Sequence, residues 1–550
     1  MDESRTPNAL RAPDAEVTLP AATSGSSTGA TPGHSPSSLA ALESSGPLEL
    51  RRVREVLEAV VADRSLLAAL GQPERQALLE AAGRLVHPET TQKRQLVRAL
   101  RRRNRREIER HDRSARAETG IRAVREPPVF TAPRQLPPLA EAGPRLRKPR
   151  ACYVCKTEYT RVHSFYDALC PECGDLNYAN RFQTADLRDR VALVTGARVK
   201  IGYQAALKLL RCGATVVATT RFPHDAAARY ASEPDSAEWS DRLRIHGLDL
   251  RHSPSVEIFA SLLGTELGRL DLLVNNACQT VRRPPGFYAH LVEQESRPLH
   301  ELPPALQPLV RSHHAAVDLI DGAPQLAASA SASKESGLVA WRGGGAGLGI
   351  RHSAALSQVR FDFDDTARRS DLFPDGRLDA DLQQVDLREV NTWRLTLGDV
   401  PTPEMIEVQL VNAVAPFILC SRLKPLMLAT PGREKHIVNV SAMEGIFSRG
   451  TKTDRHPHTN MAKAALNMLT LTSARDYVKD GIYMNAVDTG WITDEDPFAH
   501  ATRKRDELDF QPPLDIVDGA ARVLDPFLHG LNTGEHVFGR FLKDYKPSNW

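Results

Sequence analysis

Four cysteines lie close together in one short segment of the chain. They follow the spacing Cys-x2-Cys-x14-Cys-x2-Cys and are Cys152, Cys155, Cys170 and Cys173. Each Cys-x2-Cys turn can direct two thiolates at one point, and two such turns complete a tetrahedron around Zn²⁺. Cysteine fills all four ligand positions and leaves none for water, so the predicted metal is one structural zinc. The spacing predicts a zinc ribbon over 151–180, with two reduced, unliganded thiol pairs as the alternative.

A second candidate site begins with an apolar run, Val191–Val194, of the kind found in buried parallel strands. The loop that follows reads Thr195, Gly196, Ala197, Arg198, Val199, Lys200, Ile201, Gly202. A helical pattern and a second apolar run at 215–220 come next. Strand, loop, helix and strand in this order open a Rossmann unit, in which glycine lets the backbone approach a pyrophosphate at the helix N-terminus. The sequence therefore predicts an α/β domain with a doubly wound parallel sheet.

Further motifs follow this loop in a recognisable order along the chain. They include Leu248-Asp249-Leu250, Asn275-Asn276-Ala277, Val411-Asn412 and Thr489-Gly490. With Thr195, Gly196 and Gly202 they resemble the short-chain dehydrogenase/reductase family over 186–279 and 405–550. Lys200 stands where that family has its middle glycine. The predicted cofactor-binding residues are Thr195, Gly196, Arg198, Lys200, Ile201, Gly202, Arg221, Asp249, Asn276, Ala277, Lys463, Gly490 and Thr493.

The choice of cofactor is predicted from charge at the end of the second strand. In NAD enzymes an acidic residue at this point binds the ribose 2′-hydroxyl. Here the aligned residue is Thr220, and Arg221 follows it, with Arg198 and Lys200 nearby. An arginine can hold a 2′-phosphate, so NADP(H) is favoured over NAD(H). Solvated surface cations are the alternative interpretation.

The family's catalytic positions are only partly kept. The resemblance implies the tetrad asparagine at Asn412, opening a helix, and the catalytic lysine at Lys463. Ala442 stands at the serine position, with Ser441 one residue early on the strand. Thr459 stands where the Tyr-x3-Lys motif has its tyrosine. An aliphatic hydroxyl is far less acidic than a phenol, so Thr459 cannot simply replace that proton donor.

Two histidines, His456 and His458, lie beside this position and titrate near neutrality. Either could supply the proton in a modified mechanism, and loop residues without a role are the alternative. The predicted catalytic residues are therefore Asn412, Thr459, Lys463 and His458.

Residues 280–404 interrupt the resemblance, because the family crosses this interval with one short helix and a loop. The segment is predicted to be a large insertion beside the mouth of the site, where Trp341 and Trp393 could pack or cover substrate. Its glycine run at 343–349 resembles Gly-x-Gly-x2-Gly only superficially and predicts a flexible loop.

The chain ahead of the cysteines is uneven in composition. Residues 1–46, rich in Ala, Ser, Thr, Pro and Gly, predict a disordered tail. Apolar spacing over 47–118 predicts two or three short helices, with a basic run from Lys93 to Arg110. That run could bind nucleic acid or an acidic protein, or form a solvated face; it lacks interleaved aromatic residues for base stacking. Prolines over 119–150 predict a stiff linker.

Composition excludes several classes of protein. The 550 residues carry 71 Lys+Arg and 68 Asp+Glu, so the chain is neither uniformly basic nor acidic. Its 41% hydrophobic content predicts a globular core, and no apolar run approaches the ~20 residues of a membrane span. Without a secretory signal, and with seven cysteines, a soluble cytoplasmic protein without a membrane partner is expected. Two functions stay open. The first is an NADP(H)-dependent oxidoreductase that acts on a small-molecule carbonyl or alcohol and could form a homo-oligomer. The second is a degenerate NADP-binding scaffold or sensor whose zinc ribbon binds a partner.

Overall fold

A computed structural model of the chain describes residues 36–132, 143–322, 345, 347–361, 370–450 and 452–549, with side chains from residue 48 onward. The chain divides into two compact units, one up to Arg102 and one from Arg103.

The first unit is helical. Helix α1 spans Pro36–Ala62, α2 spans Gln72–Val86, and α3, Thr90–Ala117, continues into the second unit. Helix α1 begins inside the segment predicted to be a disordered tail, and this corrects the boundary at residue 46. Proline is well placed at the start of a helix, and the Leu and Ala residues that follow are strong helix formers. The basic run lies exposed on α3.

The second unit opens with a small module around the four cysteines. Strands β1 (Arg145–Ala151) and β2 (Glu158–Arg161) form an antiparallel pair, and helix α5 (Pro171–Arg181) follows. We call residues 143–182 the four-cysteine module. Strand β1 and the short helix α4 (Gly120–Ala123) lie within the predicted linker. The linker is therefore corrected: Ile121 is fully buried, and its N–H donates to the carbonyl of Phe165. Residues 133–142 lie outside the described residues.

The central sheet has eight strands within the described residues. Its order is β10-β9-β8-β7-β6-β3-β4-β5, parallel except for the β9–β10 hairpin. The order reverses at β3, and ligands of such sheets bind at this reversal, beyond the carboxyl ends of the strands. The doubly wound fold predicted from the sequence is thus confirmed. The strands are β3 (Val191–Thr195), β4 (Thr215–Thr220), β5 (Leu243–Gly247), β6 (Leu272–Asn275), β7 (Lys435–Ser441), β8 (Ile482–Asp488), β9 (Phe541–Lys543) and β10 (Lys546–Ser548).

Helices cover both faces of the sheet, because alternate residues of each strand point to opposite sides. Val194 joins one buried cluster with α6 (Lys200–Arg211) and α16 (Ile516–Thr533). Leu193 joins the other with α8 (Ser253–Glu266) and α13 (Ala415–Ala429). The remaining helices are α7 (Pro223–Ala231), α9 (Pro285–Glu295), α10 (Gln307–Gly322), α11 (Leu348–Arg351), α12 (Thr402–Gln409), α14 (Pro457–Tyr477) and α15 (Phe498–Leu508).

The insertion at 280–404 supplies α9 to α11 and the first residues of α12, and part of it packs over the carboxyl end of β5. The N–H of Asp249 donates to the carbonyl of Gly349, and a Cβ at Gly247 would collide with Ser353 and His313. The insertion therefore borders the β5 side of the sheet, where the family resemblance implies that the adenosine of the cofactor binds. Trp341 and most of the glycine run lie outside the described residues.

Helices α12 and α13 are joined by a π-helical turn, Leu410–Val414, into one helical stretch. Of the described residues, this stretch, Thr402–Ala429, is long and apolar enough to cross a membrane. However, 56% of its apolar window is buried inside the protein, as in a core helix.

Candidate functional site

The loop between β3 and α6 has the shape expected for a phosphate site. A Cβ at Gly202 would collide with the side chain of Asn276 and with the Gly196 carbonyl. Glycine is therefore required where the helix approaches the neighbouring loop. Lys200, in the place of the family's middle glycine, adopts the left-handed conformation with φ 54°. The backbone thus keeps a glycine-like geometry although the side chain has changed.

Thr195, at the end of β3, fixes the adjoining Asn-Asn-Ala loop. Its Oγ1 accepts hydrogen bonds from the backbone N–H groups of Asn276 and Ala277, each at 3.0 Å. The Asn276 side chain donates back to the Thr195 carbonyl at 2.9 Å. These reciprocal bonds hold two of the predicted cofactor loops together.

Glu495, in the loop after β8, contacts two predicted cofactor residues. Lys200 Nζ lies 3.8 Å from its Oε1, and Thr493 donates its hydroxyl to the same oxygen at 2.7 Å. Burial alone would lower the pKa of Lys200, but Glu495, Asp381 and Asp379 raise it overall. Lys200 and Thr493 are therefore both engaged, and a phosphate or carboxamide would compete with Glu495 for them.

The arginine predicted to hold a 2′-phosphate is oriented by the insertion. Arg221 donates to the Tyr288 hydroxyl of α9 at 2.7 Å, and its guanidinium lies 4.6 Å from the centre of the Tyr288 ring. Arg198 instead pairs with Asp225 of α7 at 2.7 Å and is buried. Arg221 thus bonds to a neutral side chain, Tyr288, and keeps its positive charge for a phosphate. The positive charge of Arg198 is already compensated by Asp225.

The carboxylate of Asp249, predicted to lie near adenine, is buried against Arg251. Arg251 donates to both of its oxygens, one at 2.6 Å, and to Glu407 of α12 at 2.9 Å. Burial would raise the pKa of Asp249, but these bonds and the positive charge of Arg251 lower it. An adenine amino group would therefore compete with Arg251 for this carboxylate.

Asn412 lies in the π-helical turn, in the middle of the Thr402–Ala429 stretch, which corrects the prediction that it opens a helix. Its amide forms two bonds with the backbone of Gln279, accepting at 2.8 Å and donating at 3.1 Å. Gln279 follows the carboxyl end of β6. π-Helical turns often accompany functional positions, and here the turn brings Asn412 to the candidate site.

Lys463, of α14, reaches the end of the neighbouring strand. Its Nζ donates to the Val440 carbonyl of β7 at 2.7 Å, and the side chain is buried. Ser441 is also buried, and its hydroxyl has no hydrogen-bond partner among the described residues. Ala442 follows the strand and is partly exposed. The serine position is thus occupied by Ala442, which has no hydroxyl, and the neighbouring Ser441 is buried.

The tyrosine position is occupied by a hydroxyl that is already bonded. Thr459 Oγ1 donates to the carbonyl of His456 at 2.8 Å and lies 3.1 Å from His456 Nδ1. His456 has left-handed φ, at 42°, and its ring stacks on Trp393 of the insertion at 3.9 Å. Burial lowers the pKa of His456. Among the described residues, His456 is the imidazole that contacts Thr459.

His458 faces α12. Its Nε2 lies 3.7 Å from Glu404 Oε1, and both side chains are buried. Neither side chain has a hydrogen-bond partner among the described residues. The structure thus brings the predicted acid His458 together with Glu404, whereas His456 contacts Thr459.

The four cysteines meet at one point. Their Sγ atoms all lie within 4.8 Å of one another, and Cys155 and Cys170 are 3.7 Å apart. A tetrahedron with Zn–S bonds of about 2.3 Å separates its sulfurs by about 3.8 Å. The N–H of Cys170 donates to Cys152 Sγ. Hydrogen bonds with Thr157 lower the pKa of Cys155 to about 6, whereas burial raises the pKa of Cys170 and of Cys173. The residues fit a thiolate-bound zinc ion.

Comparison with known proteins gives two matches, each of which overlaps one end of the predicted insertion at 280–404. Residues 190–295 match the short chain dehydrogenase family, and residues 393–511 match the enoyl-(acyl carrier protein) reductase group. The chain belongs to the short-chain dehydrogenase/reductase family.

Individual relatives differ in how much of the chain they share. Uncharacterized protein R665 of Acanthamoeba polyphaga mimivirus is 32% identical over 390 residues, which are 68% of this chain and 71% of that protein. The (+)-neomenthol dehydrogenase of Capsicum annuum is 33% identical over 89 residues, 16% of this chain and 28% of that enzyme. A solved short-chain dehydrogenase from Burkholderia cenocepacia, in complex with NADP, is 18% identical and covers 65% of this chain and 97% of its own, with a TM-score of 0.38.

Three residues of the site were not predicted from sequence: Tyr288, Arg251 and Glu495. Arg251 follows Asp249 by two residues, a spacing that allows a local Asp–Arg pair. Glu495 likewise follows Thr493 by two residues. Tyr288 lies far from Arg221 in the chain, so no local pattern indicates it. Trp393, predicted only to pack or to cover substrate, packs on His456. Side chains from residues 280–404 thus border the candidate site.

Proposed function

We propose that the chain is an NADP(H)-dependent oxidoreductase that transfers hydride between the nicotinamide and a carbonyl or alcohol, with a proton donor other than tyrosine. The observation that supports this most is the placement of Asn412 and Lys463. Both reach the carboxyl ends of the neighbouring strands β6 and β7, beside a loop that keeps its glycine-like backbone. Family membership supports an oxidoreductase, and Arg221 supports a 2′-phosphate.

The cofactor, when bound, would supply the hydride. Gly196 and Gly202 would let the pyrophosphate approach the start of α6, and Lys463 would hold the nicotinamide ribose through its ammonium. Arg221, oriented by Tyr288, would hold the 2′-phosphate. The proton would come from His456 or His458, and His456 has the shorter route because it contacts Thr459.

The test is titration with NADPH and NADH, followed by oxidation of NADPH in the presence of a panel of ketones and aldehydes. Tighter binding of NADPH, with turnover of at least one carbonyl, is the expected result. Failure of both nucleotides to bind excludes the proposal.

A catalytically degenerate scaffold or sensor is the second candidate. It is favoured by the absence of a hydroxyl at Ala442 and by the engagement of the Thr459 hydroxyl with its own helix. NADPH binding without turnover of any carbonyl in the panel would favour this candidate over the enzyme.

Three further assignments belong to this proposal. One zinc ion occupies the four-cysteine module, and metal analysis of protein purified under reducing conditions tests it. Zinc on four thiolates requires reduced cysteines, which supports a reducing, cytoplasmic compartment. The exposed basic face of α3 binds a polyanion such as nucleic acid or an acidic protein; binding unaffected by salt concentration would exclude this assignment.

A homo-oligomer through α12, α13 and α14 is also proposed. Apolar side chains are exposed along these helices, with Phe417 at 58% and Met461 at 54%. Large exposed apolar side chains favour an interaction surface. Light scattering that returns the monomer mass at micromolar concentration would contradict it.

A further inference from the structure

The four-cysteine module contacts one loop of the Rossmann domain at two separate points. The loop, Thr489–Trp491, leaves the carboxyl end of β8 and contains Gly490, a predicted cofactor residue. Each of the two Cys-x2-Cys turns reaches it through a different set of side chains.

The first turn reaches the loop through Tyr153, which lies between Cys152 and Cys155. The Tyr153 hydroxyl accepts a hydrogen bond from the backbone N–H of Trp491 at 2.9 Å. Lys543, of β9, lies 5.5 Å from the centre of the same ring. The tyrosine is thus held between the cysteine turn and the sheet, with its hydroxyl on the loop backbone.

The second turn reaches the loop through Asn177 and Arg522. Asn177 donates to the Cys173 carbonyl at 2.7 Å and accepts from Arg522 at 3.0 Å. Arg522, of α16, in turn donates to the Thr489 carbonyl at 3.1 Å. Asn177 and Arg522 are 0% and 2% exposed, so water does not compete for these bonds. A buried chain of hydrogen bonds therefore joins a cysteine turn to the loop.

Gly490 is required for this arrangement. It has φ 79°, and a Cβ on it would collide with the guanidinium of Arg522. Apolar contacts add to the hydrogen bonds, since Ile492, directly after the loop, belongs to the same buried cluster as Cys152, Tyr166 and Cys170. The loop is thus packed against the module as well as bonded to it.

We propose that the four-cysteine module is a positioning element for the cofactor. In its folded, metal-bound form it holds residues 489–492 in the conformation that receives the nicotinamide end of NADP(H), and Tyr153 and Asn177 are the positioning residues. The metal would join the two cysteine turns that reach the loop, so loss of the metal should release the loop. The assignment of the nicotinamide end rests on the proposed function, whereas the restraint on the loop does not.

The first test measures amide hydrogen exchange in the full chain without cofactor. Tyr153→Phe removes the hydroxyl that accepts from Trp491 and keeps the ring and all four cysteines. Exchange over 489–492 should quicken by about 2- to 10-fold, the effect of one net hydrogen bond. Asn177→Ala should do the same from the other side. Removal of zinc from the wild-type protein with a chelator should have a larger effect.

Tyr159→Phe is the matched control, because its hydroxyl donates to the Asp167 carbonyl inside the module, at 3.1 Å. It should leave exchange over 489–492 unchanged, and zinc content is measured in every variant. Faster exchange in either test variant with zinc retained supports the proposal. Unchanged exchange in both variants, or in zinc-free wild type, overturns it, whatever the cofactor results.

The second test separates the two ends of the cofactor. NADPH contains the nicotinamide, whereas 2′,5′-ADP contains only the adenosine end with its 2′-phosphate. Tyr153→Phe should weaken NADPH binding by about 2- to 10-fold and leave 2′,5′-ADP binding unchanged. Equal weakening of both ligands would show general destabilisation and overturn the positioning role. If neither ligand binds the wild type, the proposed function fails, and hydrogen exchange still decides the restraint on the loop.

Discussion

At the scale of single residues, the proposed preference for NADPH depends on Arg221. Arg221→Ala should weaken NADPH by about 10- to 100-fold relative to NADH, because a charge-assisted hydrogen bond to phosphate contributes roughly 1.5–3 kcal/mol. Tyr288→Phe removes the hydroxyl that orients this guanidinium and should have a smaller effect of the same sign. Calorimetric titration with both nucleotides measures the two affinities in each variant. Equal loss of both would make Arg221 structural.

The proton donor is also a question of single residues. His456→Ala should lower carbonyl reduction by about 10²–10⁴-fold and leave NADPH affinity nearly intact, because a positioned general acid contributes that much. Burial lowers the pKa of His456, so less of it is protonated at neutral pH than of an exposed histidine. The protonated donor increases as the pH falls, and the reduction rate should therefore rise on acidification. Steady-state rates from pH 5 to 8 measure this.

Comparison variants distinguish the candidate donors. Thr459→Val and His458→Ala remove the other groups; a loss confined to His458→Ala would move the donor to the Glu404 side of α14. Full turnover in all three variants would place the donor elsewhere, with the insertion at 280–404 the region to search. For the scaffold alternative, Ala442→Ser with Thr459→Tyr restores both family groups, and activity gained only in this double variant would show that wild type lacks chemistry.

At the scale of elements, the four-cysteine module should depend on its metal. Cys170→Ala should release about one zinc ion per chain and make 143–182 more open to proteolysis, since the metal would join the two cysteine turns of the module. The Rossmann domain should remain folded, because its two buried clusters lie on the faces of the sheet. Metal analysis and limited proteolysis measure both effects, and Cys212→Ala, outside the module, is the control.

The secondary-structure elements also show which parts of the fold could be predicted from the sequence. Strand β4 at 215–220 and the strand before Thr195 were predicted closely, because continuous apolar runs beside a glycine loop are local signals. Strand β1 was missed within a proline-rich segment, since its partner β2 is needed to recognise it. The pairs Arg221–Tyr288 and Tyr153–Trp491 join residues far apart in sequence, so no local pattern indicates them.

At the scale of the whole molecule, buried histidines should make stability depend on pH. Burial lowers the pKa of His246, in β5, to about 4 and that of His436, in β7, to about 3. The unfolded chain takes up these protons near pH 6.5, before the folded protein does. Their contribution to the free energy of unfolding is thus complete above pH 6.5 and is lost as the pH falls toward 4.

His246 offers a direct test, because neither of its ring nitrogens has a hydrogen-bond partner among the described residues. In His246→Leu, the loss of unfolding free energy between pH 7.5 and pH 5 should be about 2 kcal/mol smaller than in wild type. Leucine can fill the apolar space beside Phe259 without binding a proton. Urea unfolding at the two pH values gives the difference, with the exposed His500→Leu as control. Equal pH dependence of the unfolding free energy in His246→Leu and wild type would contradict this. It would mean that His246 takes up its proton in the folded protein as readily as in the unfolded chain, which requires β5 to open toward water at mildly acidic pH.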